Sequence, residues 1–411
     1  MCRTDDVTLN YIIGWLLLHY CGMAHLKLKV WPLQATMLVI LLLVSCMYHH
    51  LHFQSQTRRR TILIVEEHPL VNMSTTATLL FNETTAAAAA MADAAIPNPT
   101  ETLPGSPIFN ETAAAAAIAV AVDNTTIPKA AIIYLIQLDD QQALRSSLIS
   151  LRKHFRPAQS YMVLLFYDPH ERHLLTSEFR SELLQIAPVQ FYEATTFHDH
   201  PAHVDPQRTA GNADYFTTGY RRMCRFWAYG VFQEPVMQTL DYYWRLDTDL
   251  SLQQDILHDP FHQAQAAGLQ YVYGVTHTDA EFVLTGLWDL TMAYMRKRGL
   301  HPRSMLPLVA NALSHEQVSS MPLDEAINAM TRAGYNALIY YNNFELSVPA
   351  LWRSQAYMDY FAEVDNAGGI FFYRWGDAPI RTLAVHMLLP PSQVAQWKPS
   401  LSYQHQGQWT T

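Results

Sequence analysis

Two aspartates, one residue apart, close the otherwise apolar run YYWRLDTDL from Tyr242 to Leu250. Successive side chains on a strand alternate between faces, so Asp247 and Asp249 can be aimed at one object. Carboxylates held that close disfavour each other unless a cation lies between them. A divalent metal is the natural partner. The pattern also fits turn chemistry, because an Asp side chain readily accepts from nearby backbone amides. Spacing alone leaves both readings open.

The elements that must position these residues are legible upstream. AAIIYLIQL, from residue 130, is a continuous apolar run of the buried-strand kind. DDQQALRSSLISLRKHF then places Leu144, Leu148 and Leu151 at helical spacing, and SYMVLLFYD is the next strand. Strand, helix and strand in that order predict a right-handed parallel crossover and an α/β fold. The alternation continues with a helix over Leu174–Ile186, the strand VQFYEA, and a helix in TGYRRMCRFWAYGVF. The strand ending at the two aspartates follows. In open α/β sheets ligands bind beyond the carboxyl ends of strands, which is where this pair falls. No Gly-x-Gly-x-x-Gly fingerprint or Gly-x-x-x-x-Gly-Lys loop occurs, which argues against a dinucleotide dehydrogenase and a P-loop enzyme.

The whole chain, 411 residues with formal net charge -9, has no concentrated basic stripe and does not read as a nucleic-acid binder. Of its cysteines, Cys2, Cys21, Cys46 and Cys224, only the last lies beyond residue 50. The downstream portion therefore has no internal disulfide and no zinc-type cysteine pair. The apolar run Ala35–Tyr48, extended by Trp31 to Leu33, approaches the ~20 residues of a membrane span. It predicts a tail over 1–30 and an anchor over 31–53, with a cleaved signal as the alternative. Arg58, Arg59 and Arg60 after the span give mixed advice on orientation. Residues 54–129 are rich in Ala, Thr and Pro, hold the near-copies FNETTAAAAA and FNETAAAAA, and carry sequons at Asn72, Asn82, Asn110 and Asn124. That composition predicts a glycosylated luminal stem, a type II membrane protein, and a dense domain over 130–411.

Within that domain GYRRMCRFWAYGVF, YYWRLDTD, YNNFELSVPALWRSQAYMDYF, GGIFFYRWGDAPIRTLAV and YQH follow one another. In this order they resemble the fungal α-1,2-mannosyltransferases of glycosyltransferase family 15. The resemblance implies a GT-A-like α/β domain, with a mixed, mostly parallel sheet and flanking helices, in a Golgi type II membrane protein. It implies retaining transfer of mannose from GDP-mannose, with Mn²⁺, to the 2-hydroxyl of mannose-terminated acceptors in protein glycosylation and cell-wall mannan synthesis. The family's Glu-Pro-Asp matches Asp247-Thr248-Asp249, and its Tyr-Arg-His matches Tyr403-Gln404-His405. Asp247, Asp249 and His405 are thereby the implied metal set, with Asp249 also facing the donor. Tyr220 matches the donor-site tyrosine, and Arg221 beside it, followed by Arg222, is the further implied donor-binding residue. Glu345 matches the glutamate proposed as nucleophile. Arg374-Trp375-Gly376-Asp377 matches an Arg-Trp-Gly-Asp-Ala-Pro signature and offers Asp377 as a second catalytic carboxylate, toward the acceptor hydroxyl.

Plainer roles stand beside these. His405 can be surface decoration, Glu345 can stabilise the start of the next helix, and Asp377 can be an N-cap with Pro379 in the first turn. Where the family has an Arg-Asn pair after its first strand, this chain has Asp139-Asp140. An anion near a diphosphate weakens donor binding, so the second expectation is a catalytically impaired relative that binds glycan or nucleotide sugar.

Overall fold

The structure, a computed structural model, describes residues 108–109, 127–210, 215–397, 403–405 and 408–410. The predicted tail, the anchor over 31–53 and nearly all of the stem lie outside them. Among the described residues no helix is long and apolar enough to cross a membrane.

The principal sheet is built from β1 (Ile108–Phe109), β2 (Ala130–Ile136), β3 (Met162–Tyr167), β4 (Val189–Glu193), β5 (Tyr242–Leu246), β7 (Tyr271–Thr278), β8 (Leu338–Ser347) and β9 (Val394–Trp397). Their spatial order is β1-β9-β7-β8-β5-β2-β3-β4. All neighbours pair in parallel except β8, which runs antiparallel to both β5 and β7. The sheet is mixed and mostly parallel, as the resemblance implied. β1 comes from the stretch read as stem and pairs with Gln396 and Trp397. A smaller antiparallel sheet joins β6 (Leu250–Leu252), β10 (Tyr403–His405) and β11 (Gln408–Thr410) in the order β11-β10-β6.

Both faces of the large sheet are covered, which is why β2 reads as an unbroken apolar run. Ile132, Tyr134 and Ile136 face one core with Leu144, Leu148 and Leu151 of α1 (Gln141–His154). Ala131 and Ile133 face a second core, together with Phe226 and Trp227 of α3 (Thr218–Ala228). On the first side lies α2 (Ser177–Ile186), which begins later than predicted. A 3₁₀ turn over Pro169–Leu174 precedes it, and the Thr176 hydroxyl caps it by accepting from the amide of Phe179 at 3.2 Å. The second side also carries α4 (Asp377–Leu388), packed on β8.

The candidate metal and donor site

Alternation along β5 sends Tyr243 and Arg245 to one face and Tyr242, Trp244 and Leu246 into the opposite core. Asp247 continues the first set just past the strand. A turn closed by Leu250 N donating to Asp247 O at 3.1 Å then carries Asp249 into β6. β10 pairs with β6 so that His405 lies opposite Leu250. His405 Nε2 thereby comes to 3.1 Å from Asp249 Oδ1 and 3.9 Å from Asp247 Oδ2. One ligand-type atom from each of the three residues falls within 4.8 Å of the others. The histidine is buried, with Nδ1 3.3 Å from the Tyr341 hydroxyl, so its ring is oriented from behind. Burial pushes the Asp247 carboxyl above its ordinary range; Arg245 and His405 oppose that rise and Asp249 adds to it. A carboxylate raised in this way, with a second carboxylate and an imidazole beside it, fits a hard or borderline divalent cation. The surface-decoration reading of His405 does not survive this geometry.

Behind the acidic pair sits Arg245, which sequence reading passed over. Its Nε and Nη2 donate to Asp247 Oδ1 at 3.3 and 3.2 Å, and its Nη1 donates to Asp377 Oδ2. The guanidinium lies 4.1 Å from the Trp227 ring centroid. Asn342 Nδ2 donates to the same Asp377 oxygen at 2.7 Å. Asp377 is therefore not the cap of α4. Gly376 holds that position, and the Asp377 side chain ties the helix start to β5 and β8.

Tyr220, in the first turn of α3, accepts from Arg374 Nη2 at 2.8 Å through its hydroxyl. Arg374 also holds both oxygens of Asp279, at 3.2 and 3.1 Å, and stacks over Phe216 and Tyr220. Its backbone is left-handed, at φ 66°, an uncommon conformation for a non-glycine residue that this pairing holds in place. Arg221 is turned elsewhere. It is buried and donates to the Phe371 carbonyl, bracing the segment that leads to Arg374.

Glu345 lies inside β8, directly opposite Arg245. The helical turn that follows has Val348 as its N-cap, so the helix-start reading of Glu345 fails. The carboxylate is fully buried. Arg381 Nε donates to Oε2 at 2.8 Å, Arg381 Nη2 and the Tyr243 hydroxyl both donate to Oε1, and the guanidinium stacks 3.7 Å from the Trp352 centroid. Glu345 is therefore paired inside the core by Tyr243 of β5 and Arg381 of α4. Asp139, exposed, and Asp140, at the N-cap position of α1, stand at the carboxyl end of β2, on the same edge as Asp247.

Residues 99–410 match the family model described as glycolipid 2-alpha-mannosyltransferase. The chain belongs to that family. Its relatives include the alpha-1,2 mannosyltransferase KTR1 of Saccharomyces cerevisiae, 26% identical over 280 residues, which cover 65% of this chain and 66% of that protein. The O-glycoside alpha-1,2-mannosyltransferase homolog 4 of Schizosaccharomyces pombe is 27% identical over 309 residues, 67% of this chain and 69% of that one. The match spans just under two thirds of KTR1 and only 37% of the glycolipid 2-alpha-mannosyltransferase 1 of Candida albicans. Among solved structures, core-mannan synthase A from Aspergillus fumigatus, in an Mn/GDP form, has a TM-score of 0.57 at 21% identity over 69% of this chain and 77% of that chain. The S. cerevisiae mannosyltransferase Ktr4p in complex with GDP gives 0.56 at 20% identity over 74% and 84%. At these identities the likeness is one of fold.

Proposed function

We propose that the domain is a retaining α-1,2-mannosyltransferase, taking mannose from GDP-mannose to mannose-terminated acceptors with Mn²⁺ held by Asp247, Asp249 and His405. The observation that carries this is the Asp247–Asp249–His405 triad at the carboxyl end of β5, in a chain of the mannosyltransferase family. Relatives whose structures hold GDP, or Mn and GDP, support the donor and the ion. A cation held there would supply positive charge to offset that of the leaving diphosphate. The chain's own residues do the rest. Asp249, about a third exposed, is the carboxylate presented to the donor side. Tyr220 and Arg374, hydrogen-bonded to each other, form a preorganised aromatic and cationic pair. Arg245 and Asn342 hold the Asp377 carboxylate for the acceptor hydroxyl. The burial of Glu345 favours same-face attack over a covalent intermediate, with its charge acting through the pocket floor.

The apolar run over 31–53 and the sequons at Asn72, Asn82, Asn110 and Asn124 support a luminal Golgi location behind a single type II anchor. A glycosidase-dependent mobility shift of the native protein is the expected sign. A second reading rests on Asp139 and Asp140, whose negative charge on the nucleotide edge favours a binding relative without turnover. The full chain, incubated with GDP-mannose, Mn²⁺ and α-methyl mannoside, separates the two. An α-1,2-linked product identified by NMR supports transfer. Donor binding without any product supports the relative.

A further inference from the structure

A second cluster of ligand-type side chains stands at the end of β3. Asp168 follows that strand, His170 sits in the 3₁₀ turn Pro169–Leu174, and His198 comes from the long connection between β4 and α3. One ligand-type atom from each lies within 4.8 Å of the others. Asp168 Oδ1 is 2.7 Å from His198 Nε2 and accepts from the His170 amide at 2.9 Å. The two imidazole centroids are 4.0 Å apart, with their planes inclined by 31°. Neighbouring imidazoles brace both segments: His173 Nδ1 lies 3.0 Å from the His170 carbonyl, and His200 Nδ1 lies 3.2 Å from that of His198.

A hydrogen bond explains His198 and Asp168 by themselves. It does not explain His170, which is exposed and makes no side-chain hydrogen bond among the described residues, yet stacks on His198 with a nitrogen inside the cluster. Two imidazoles and a carboxylate, with ligand atoms within 4.8 Å of one another and drawn from two segments, form a ligand set for a borderline-soft divalent ion.

We infer that Asp168, His170 and His198 bind a zinc ion, separately from the Asp247 triad. The ion replaces the proton shared by His198 Nε2 and Asp168, which passes to solvent, and the fourth tetrahedral position is left to water. β3 and β5 are separated only by β2, so the two sites stand about 10 Å apart across the sheet, two strand spacings. Their donor sets differ. Two nitrogens and one oxygen favour Zn²⁺ at the new site, while two oxygens and one nitrogen at the triad leave room for Mn²⁺. The site clips the β4–α3 connection to the end of β3, and that connection runs directly into the turn of α3 that carries Tyr220.

The test is metal stoichiometry of the full chain, stripped with chelator and titrated with Zn²⁺ and, as a spectroscopic probe, Co²⁺. The wild type should take up two equivalents of Co²⁺, one of them with the intense visible absorption of a low-coordinate histidine site. His170→Ala, an exposed substitution whose loss is confined to the ring contact with His198, should lose that absorption and one equivalent, and His198→Ala should do the same. Asp249→Ala should lose the other equivalent and keep the absorption. Unchanged uptake and spectrum in His170→Ala would overturn the assignment, leaving the cluster a hydrogen-bonded His–Asp pair only. Loss of the intense band in Asp249→Ala with its retention in His170→Ala would overturn it equally.

Discussion

Arg245 faces Glu345 across the β5–β8 ladder, yet their ion pairs run to other partners: Arg245 to Asp247 and Asp377, Glu345 to Arg381. Two arginines and three carboxylates are thus interleaved in successive layers under the pocket. Arg245 serves the carboxylates nearest the metal triad and Arg381 the one fully buried inside β8.

This arrangement changes what Glu345→Gln should do. From the sequence alone, the swap preserves volume and is expected to leave the fold intact. In the structure it leaves Arg381 buried without its counter-charge, which should cost about 3–5 kcal/mol. Chemical denaturation should show that loss. Turnover per folded molecule should also fall by orders of magnitude, because a charge serving the transition state has little ground-state share. A Glu345→Gln protein with near-native stability and rate would falsify both roles.

For the metal triad, Asp249→Ala should abolish Mn²⁺-dependent transfer, since it removes a ligand and leaves Asp247 beside the donor diphosphate. Asp247→Glu should keep activity, because the longer carboxylate can still accept from Arg245. Transfer rate against Mn²⁺ concentration checks both. Activity of Asp249→Ala that is unchanged at limiting Mn²⁺ removes the triad from the mechanism.

Gly369→Ala probes the segment that holds Arg374. A Cβ there would meet the Trp375 ring at atoms only 2.3 to 2.4 Å away, and that ring is pinned by its Nε1 donating to the Thr285 carbonyl at 2.8 Å. Overpacking of this kind typically costs about 1–3 kcal/mol. A lowered Tm, together with a raised KM for GDP-mannose, is the expected result. The KM effect is expected because Trp375 and Gly376 join Arg374 to Asp377, so a displaced Trp375 shifts both side chains.

His386 supplies an acid-stability expectation. Burial lowers its imidazole from the usual value to about 4. Its Nδ1 lies 3.1 Å from the Ser304 carbonyl and its Nε2 lies 2.9 Å from the Tyr340 hydroxyl, an arrangement that suits the neutral ring. The unfolded chain binds this proton first, so stability should fall as pH drops from about 6.5 toward 4 and be unaffected by this group at higher pH. His386→Phe should flatten that part of a pH-denaturation profile. A profile that is equally steep in the variant refutes the assignment.

The parallel strands were readable because both faces of each are buried, which leaves an apolar run that no amphipathic helix produces. The reversed direction of β8 was not readable. Periodicity reports which face is buried and carries no strand polarity. Asp247 and Asp249 were visible as a pair, while His405 depended on family resemblance, since a strand pairing that brings distant segments together leaves no local trace. Arg245, Arg381 and Asp279 were missed. An arginine inside the apolar run YYWRL was a signal, because a buried cation demands a carboxylate partner, but its partners stand on other elements. Asp377 looked like a helix cap because its neighbours are cap-like, and only the neighbouring strands show where its side chain goes.

The β6–β10 pairing places two ligands of the triad on one side of a three-residue ladder and the third on the other. So short a ladder is weak by itself. An ion shared across it becomes a cross-link, and linkage makes the effect mutual: whatever fills the triad fastens β10, and whatever releases β10 weakens the ion's hold. At one hundred times its dissociation constant such a ligand adds about 2.7 kcal/mol to the closed pairing. Hydrogen-exchange protection of the Tyr403–His405 amides therefore becomes a gauge of metal occupancy that can be read without any substrate present.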